Sequence, residues 1–224
     1  MELKKYSRIV VGLERDAARP EVILADEVTG KVTAGNDWIL HMDYAAVAKA
    51  ASTEHPGDAR MITRKTERGI FDLTMKTVQL LKSLEALPEI VEIDTDITPE
   101  LKASGLGNAE FSRFINGAIN GVKAVSPETK VMLFYPEGFN NEAAHKWFNR
   151  FSISGGKPYD AISVACVAST GKLYDLSSNL SDLSRSFDKD MYLDIATADA
   201  GIGKDELLTA VAAVPMDKGL GYIE

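Results

Sequence analysis

The chain has 224 residues, of which 45% are hydrophobic and 26% charged, and its formal net charge is −8. This balance is that of an ordinary globular protein and excludes a disordered or fibrous chain. The acidic balance argues against a nucleic-acid partner, since proteins that bind nucleic acid normally show a basic excess. A single cysteine, Cys166, excludes an intrachain disulfide and a cysteine-based zinc site.

No part of the chain indicates a membrane-associated protein. No hydrophobic segment of the signal-peptide type follows the first residues. No apolar run approaches the roughly 18 residues of a membrane span, and no polybasic anchor is present. We therefore expect no membrane partner. These features fit both a cytoplasmic protein and the mature part of an exported one.

Short apolar runs bounded by turn residues recur along the chain and predict β-strands. In chain order these runs are residues 9–11, 22–24, 38–40, 90–93, 131–134, 161–164, 191–193 and 220–223. Residues 28–31 have the composition of a tight turn, which predicts a β-hairpin over residues 22–32.

The stretches between the later strands have the three-to-four-residue period of amphipathic helices. The clearest apolar stripe in these stretches is Phe111, Phe114, Ile115, Ala118, Val122 and Val125. From Trp38 onward, strand and helix alternate five times, which indicates a parallel sheet covered by helices. A closed barrel and a doubly wound sheet both fit this pattern.

Acidic residues stand at the ends of several predicted strands. Asp94 and Asp96 end the run at 90–93, Glu137 follows the run at 131–134, and Asp194 ends the run at 191–193. Functional sites form at the carboxyl ends of parallel strands, and paired carboxylates suit glycoside hydrolysis or divalent-metal binding. The alternative is that Asp94 and Asp96 are loop acids that cap the next turn.

Other chemically suggestive residues favour structural roles. The three histidines have no metal-ligand spacing, and the glycines at 105–107 and 201–204 lack the spacing of a phosphate-binding loop. We therefore predict no metal site and no cofactor. Cys166 lies in an apolar run and is expected to be a small buried residue. Trp147 and Phe151 have helical spacing and are expected in the core rather than on a sugar-binding surface.

Residues 116–133 resemble the stretch that leads into strand five of the arabinogalactan endo-β-1,4-galactanases, glycoside hydrolase family 53. Residues 90–98 resemble the strand-four segment of that family, and further similar segments are residues 140–142, 147–148, 159–162, 171–183, 189–190 and 213–221. The resemblance covers about residues 68–224. It implies an α/β fold, a (β/α)8 TIM-like barrel that is compact or incomplete, with the N-terminal hairpin replacing one unit. With no linker or repeat in the chain, we predict one barrel-like domain over residues 1–224.

The chain departs from this family at the positions that carry the chemistry. Where the family has an Asn-Glu pair whose Glu is the acid/base, this chain has Thr95 and Asp96. The family's nucleophilic Glu corresponds to Asp194 or to Ile195. Two carboxyl groups about 5 Å apart are needed for a retaining mechanism, so these changes predict impaired catalysis.

The sugar-contacting positions of the resembling family are also changed. Its aromatic run after strand six corresponds to residues 165–170, which contain no aromatic residue, and its strand-five His corresponds to Phe134. Its His-Tyr-Ser-Asp pattern corresponds to residues 43–46. The candidate substrate-binding residues are Asp94, Glu137, Asp43 and Tyr44.

Three hypotheses follow. We favour a catalytically degenerate, galactanase-like barrel with a carbohydrate-binding or structural role, whose partner is a β-galactan or another polysaccharide. The first alternative is an active glycosidase that uses Asp96 as acid/base and Asp194 as nucleophile. The second is a metal-dependent or small-molecule enzyme on the same barrel, with the strand-end acids Asp94, Asp96, Glu137 and Asp194 converging.

Overall fold

The computed structural model describes residues 3–11, 30, 37–96, 106–166, 173–197, 203–213, 216 and 218–224. Within these ranges the strands are β1 (Lys4–Val11), β2 (Trp38–Met42), β3 (Ile90–Asp94), β4 (Lys130–Tyr135), β5 (Ala161–Ala165), β6 (Asp190–Asp194) and β7 (Leu220–Ile223). The helices are α1 (Ala45–Glu54), α2 (Ala59–Ser83), α3 (Asn108–Val125), α4 (Asn141–Ile153), α5 (Leu173–Phe187) and α6 (Lys204–Ala212), and a short 3-10 helix spans Ile195–Thr197.

The described strands form one closed barrel in which every pairing is parallel. Each strand pairs with the next along the chain, and β7 pairs with β1 to close the barrel. This confirms the predicted parallel, helix-covered barrel, including the parallel pairing of the strands that begin at Lys130 and Ala161. Seven described strands close it, in line with the compact form of the barrel. The predicted strand at 22–24 and hairpin at 22–32 lie outside the described residues, apart from Gly30.

Seven buried side chains, one from each strand, form an apolar layer inside the barrel. They cluster separately from the main hydrophobic core and are Tyr6, Ile39, Ile90, Met132, Ala161, Tyr192 and Ile223. The alternate strand residues face outward and pack under the helices, as the period of two in a strand requires. Because both faces of the sheet are covered, its strands consist of nearly continuous apolar runs.

The helices begin at capping residues that the sequence provides. The Asp58 carboxylate accepts the Met61 backbone N–H at the start of α2, and the Asn140 side chain accepts the Ala143 N–H at the start of α4. The apolar stripe of α3 faces the core as predicted, and Phe114 has no exposed surface. Residues 106–107 and 203 directly precede α3 and α6. Among the described residues, no helix combines the length and hydropathy that a membrane crossing requires.

Candidate functional site: a buried ion cluster and an adjacent cleft

A second layer inside the barrel is polar. Six strands each contribute one residue to this layer, two positions after their apolar-layer residue and so nearer the carboxyl end of the strand. These residues are Arg8, His41, Glu92, Phe134, Ser163 and Asp194. A step of two residues along a strand returns to the same face of the sheet, so these side chains also point into the barrel. Five of the six carry a polar or charged group, and the strand geometry therefore brings those groups together.

Glu92 is the centre of this ion cluster and has no exposed surface. The Arg8 guanidinium donates to its carboxylate, with Nη2 at 2.8 Å from Oε2. His41 Nδ1 lies 2.5 Å from the same oxygen. The Ser163 hydroxyl donates to Oε1. Arg8 Nη2 also lies 3.1 Å from Oε1. Four contacts from three strands thus satisfy a carboxylate that would be costly to bury alone.

Asp194 is the second buried carboxylate of the cluster. Its Oδ2 accepts a hydrogen bond from Arg8 Nη1, and its Oδ1 accepts the Ala196 backbone N–H at 3.1 Å. The residue has no exposed surface. Arg8 therefore bridges two carboxylates on opposite parts of the barrel wall, and both oxygens of Asp194 are engaged.

The cluster shifts the pKa values of its members in different directions. Burial alone would lower the pKa of His41, but the charges of Glu92 and Asp94 outweigh burial and raise it to about 9. Burial opposes ionisation of Glu92, yet His41 and Arg8 hold the pKa of this carboxyl below its usual range. For Asp194, burial raises the pKa and Arg8 only partly offsets it. At neutral pH the cluster therefore places a protonated His41 beside the ionised carboxylate of Glu92.

Phe134 and Asp94 complete the surroundings of the cluster. The Phe134 ring contacts Arg8, whose guanidinium carbon lies 5.4 Å from the ring centroid, and packs edge-on against His41. Asp94 lies 3.6 Å from His41 Nε2. Its Oδ1 accepts the backbone N–H of Asp96 at 2.8 Å, which is the local turn contact that the loop-acid alternative predicts.

A cleft of about 410 Å³ opens beside the barrel at the carboxyl ends of β3 and β4, between α3 and α4. Asp96 and Glu137 line it from the strand ends, and Phe111 lines it from α3. Its α4 wall consists of residues 143, 146, 147, 150 and 151, which share one face at helical spacing. The cleft therefore combines aromatic rings with charges of both signs.

The structure separates the predicted catalytic pair into two environments. Asp96 is exposed and lines the cleft, whereas Asp194 is buried in the ion cluster. Of the candidate substrate-binding residues, Glu137 lines the cleft and Asp94 faces His41.

The remaining two candidate substrate-binding residues have structural contacts. The Asp43 carboxylate accepts the Ala45 N–H at the start of α1. Tyr44 has no exposed surface, and its hydroxyl lies 2.7 Å from that of Thr74. The Tyr44 side chain is therefore part of the packing between α1 and α2 and is not accessible to a ligand.

Two further expectations concern Cys166 and metal binding. Cys166 is fully buried, as predicted, and burial raises the pKa of its thiol. Within the described part of the chain, no three His, Cys, Asp or Glu side chains are arranged to hold a metal ion. Trp147, expected in the core, is only half-buried and lines the cleft, although its ring stacks on Phe151 at 5.6 Å.

The sequence reasoning missed Arg8, Glu92 and Ser163 as members of a site, and it treated His41 as an isolated histidine. The signal that reveals them is positional. Each polar residue stands two residues beyond a buried apolar residue of its own strand, and His41, Glu92 and Ser163 interrupt an apolar run. A charge within such a run is unusual, because unpaired buried charges are costly. Comparing the same position across all strands identifies the cluster.

The described strands and helices form a TIM-type α/β barrel that has its polar layer at the carboxyl-terminal side of the strands. The family model "Glycosyl hydrolase family 53" matches residues 50–203, more than half of the chain. The chain therefore belongs to glycosyl hydrolase family 53.

Solved structures show the same fold. One, from a study titled as describing two fungal β-1,4-galactanases, superposes with a TM-score of 0.72 at 16% identity, over 99% of this chain and 77% of that one. The family 53 catalytic domain of Ignisphaera aggregans gives a TM-score of 0.68 at 15% identity, over 98% and 73% of the two chains.

A curated relative, the "uncharacterized protein in bgaB 5′ region" of Niallia circulans, is 28% identical over 135 residues. The match covers 55% of this chain and 37% of that relative. The chain thus matches little more than a third of the relative's length.

Proposed function

We propose that this family 53 barrel binds carbohydrate without hydrolysing it. One observation carries the proposal: both carboxylate oxygens of Asp194, the candidate nucleophile, accept hydrogen bonds inside the barrel, and the residue has no exposed surface. A nucleophile must reach the anomeric carbon of a sugar in an open site. Asp194 is instead held by Arg8.

The state of the second carboxyl group also favours a non-hydrolytic role. A retaining glycosidase places its acid/base and its nucleophile on either side of one glycosidic bond, about 5 Å apart. Here Asp96 is exposed in the cleft, whereas Asp194 lies in the barrel interior.

Carbohydrate binding is supported by the composition of the cleft. Sugar rings stack on aromatic side chains, and their hydroxyls pair with carboxylates. Trp147 supplies a half-buried ring, while Asp96 and Glu137 supply carboxylates at the strand ends. Because structures described as β-1,4-galactanases share the fold, β-1,4-galactan is the polysaccharide to examine first.

The test combines a turnover assay with a binding assay. We expect no reducing ends to be released from β-1,4-galactan by the wild-type protein, and the same background from Asp96→Asn and Asp194→Asn. We expect retarded migration in affinity gels that contain the polysaccharide. Turnover that either substitution abolishes would establish the glycosidase alternative. If the protein shows no turnover and binds no polysaccharide, the barrel has a structural role only.

A further inference from the structure

We infer that the cleft between α3 and α4 binds an acidic sugar, a pyranose that carries a carboxylate, with Lys146 and Arg150 as the residues that hold the carboxylate. The inference rests on the proposed carbohydrate-binding function and adds the class of sugar to it. It is carried by three observations within one cleft: a ring surface, a tyrosine hydroxyl at a strand end, and two cations on one helix face that have no ion pair among the described residues.

The ring surface is Trp147, which lines the cleft from α4. Its ring stacks on Phe151 with centroids 5.6 Å apart and planes 13° apart, and it also contacts Phe148 edge-on at 4.8 Å. Because Phe148 and Phe151 are themselves buried, these contacts fix the orientation of the indole. A fixed aromatic ring in a cleft of about 410 Å³ is suited to stack against one sugar ring.

The hydroxyl is that of Tyr135 at the end of β4. Only 5% of this residue is exposed, it lines the cleft, and its hydroxyl has no hydrogen-bond partner among the described residues. Burial, together with the charge of Glu137, raises the pKa of Tyr135, so the group remains a hydrogen-bond donor. A ligand oxygen in the cleft would accept a hydrogen bond from this hydroxyl.

The two cations stand one helical turn apart on α4. Lys146 and Arg150 are exposed and line the cleft, and neither has an ion pair or hydrogen bond within the described ranges. Guanidinium groups bind carboxylates through two parallel hydrogen bonds. Because the chain as a whole has a net charge of −8, affinity for an anion has to come from a local concentration of positive charge such as this one.

The arrangement of charges in the cleft also orients the sugar. The Glu137 carboxylate accepts the Asn140 side-chain N–H at 3.0 Å, just before α4 begins, so its negative charge lies at the strand-end side. Arg150 is nine residues into the helix, roughly 13 Å along the axis at the usual rise. Sugar hydroxyls therefore fit beside Asp96 and Glu137, and the carboxylate fits beside Arg150, away from like charges.

Calorimetric titration with three trisaccharides tests this inference on the full chain. The ligands are trigalacturonate, its methyl ester, which keeps the rings but removes the charges, and neutral β-1,4-galactotriose. We expect trigalacturonate to bind at least about tenfold more tightly than its ester, and this preference to shrink as the salt concentration rises. Arg150→Gln is expected to weaken trigalacturonate binding about tenfold and to leave ester binding unchanged.

Arg64→Gln is the matched control. Arg64 is exposed on α2, does not line the cleft, and has the same charge. The Arg64→Gln variant should therefore bind all three ligands as tightly as the wild type does. Trp147→Ala should weaken the binding of trigalacturonate and of its methyl ester to the same extent, because it removes the ring surface and not the charge. Both arginine variants alter exposed side chains, so unchanged melting temperatures are expected to confirm that they fold.

The outcomes separate this inference from the proposed function. Equal affinity for the acid and its ester, or an equal loss for Arg150→Gln and Arg64→Gln, would overturn the acidic-sugar assignment and leave carbohydrate binding intact. Binding of galactotriose alone would do the same. If none of the three ligands binds and the polysaccharide gels also show no retardation, both proposals fail.

Discussion

Replacing Glu92 with Gln removes the central negative charge of the ion cluster and hardly changes its shape. Arg8 then retains Asp194 as a partner, but His41 loses the carboxylate 2.5 Å from its Nδ1 and keeps only Asp94, at 3.6 Å from Nε2. Breaking a buried ion pair by removing one partner costs about 3–5 kcal/mol. We expect Glu92→Gln to lower the free energy of unfolding by that amount at pH 7.

Part of this loss depends on pH through His41. Its pKa of about 9 in the folded protein lies above the ordinary value of 6.5. A rise of that size corresponds to about 3 kcal/mol of stability, which is fully present below pH 6.5 and is lost as the pH rises through about 9. In Glu92→Gln, burial is expected to keep His41 neutral. The gap in stability between wild type and variant should therefore narrow by about 2–3 kcal/mol between pH 6.5 and pH 9.5.

Urea unfolding followed by tryptophan fluorescence measures this gap, since Trp38 in β2 is buried in the folded protein. Glu89→Gln is the control. Glu89 pairs with Lys130 at 2.9 Å on the surface, with 58% of its side chain exposed, and such pairs contribute less than about 1 kcal/mol. A gap for Glu92→Gln that is the same at both pH values would show that His41 is neutral in the wild type and would refute the reasoning.

Two further predictions concern buried side chains. Phe114→Ala should lower the free energy of unfolding by about 3–5 kcal/mol, because this ring on α3 has no exposed surface. Phe111→Ala should lower it clearly less, because Phe111 is half-buried; equal losses of stability in thermal unfolding would contradict the predicted orientation of the stripe. Cys166 should not react with a thiol reagent such as DTNB until the protein unfolds, because it is buried and burial raises its pKa; rapid labelling of the native protein would show that the thiol is accessible.

Much of the barrel follows from patterns within single elements. Each described strand after β1 coincides with a predicted apolar run, and the stripe with Phe114 predicts both α3 and its buried face. These signals are strong because covered parallel strands are apolar on both faces and amphipathic helices repeat every three to four residues. The position of the cleft could not be predicted in this way, since it depends on how α3 and α4 diverge.

The ion cluster shows why the site was harder to predict than the fold. Asp194 was recognised as a strand-end acid, but its partner Arg8 lies 186 residues away in the sequence. Only closure of the barrel, with β7 beside β1, brings the first strand into reach of β6. A search for acids at strand ends identifies Asp194 but gives no information about cations that other strands contribute to the same layer. The pairing of Asp194 with Arg8 could therefore not be predicted from the sequence.

Intact-protein mass spectrometry after incubation with an activated 2-deoxy-2-fluoro-β-galactoside tests most directly whether Asp194 is available as a nucleophile. Such a glycoside leaves a stable glycosyl ester on the nucleophile of a retaining enzyme, and an active β-1,4-galactanase serves as positive control. Because Arg8 and the Ala196 N–H hold both oxygens of Asp194, we predict no increase in the mass of this protein. A stoichiometric adduct on Asp194, absent in Asp194→Asn, would contradict the account.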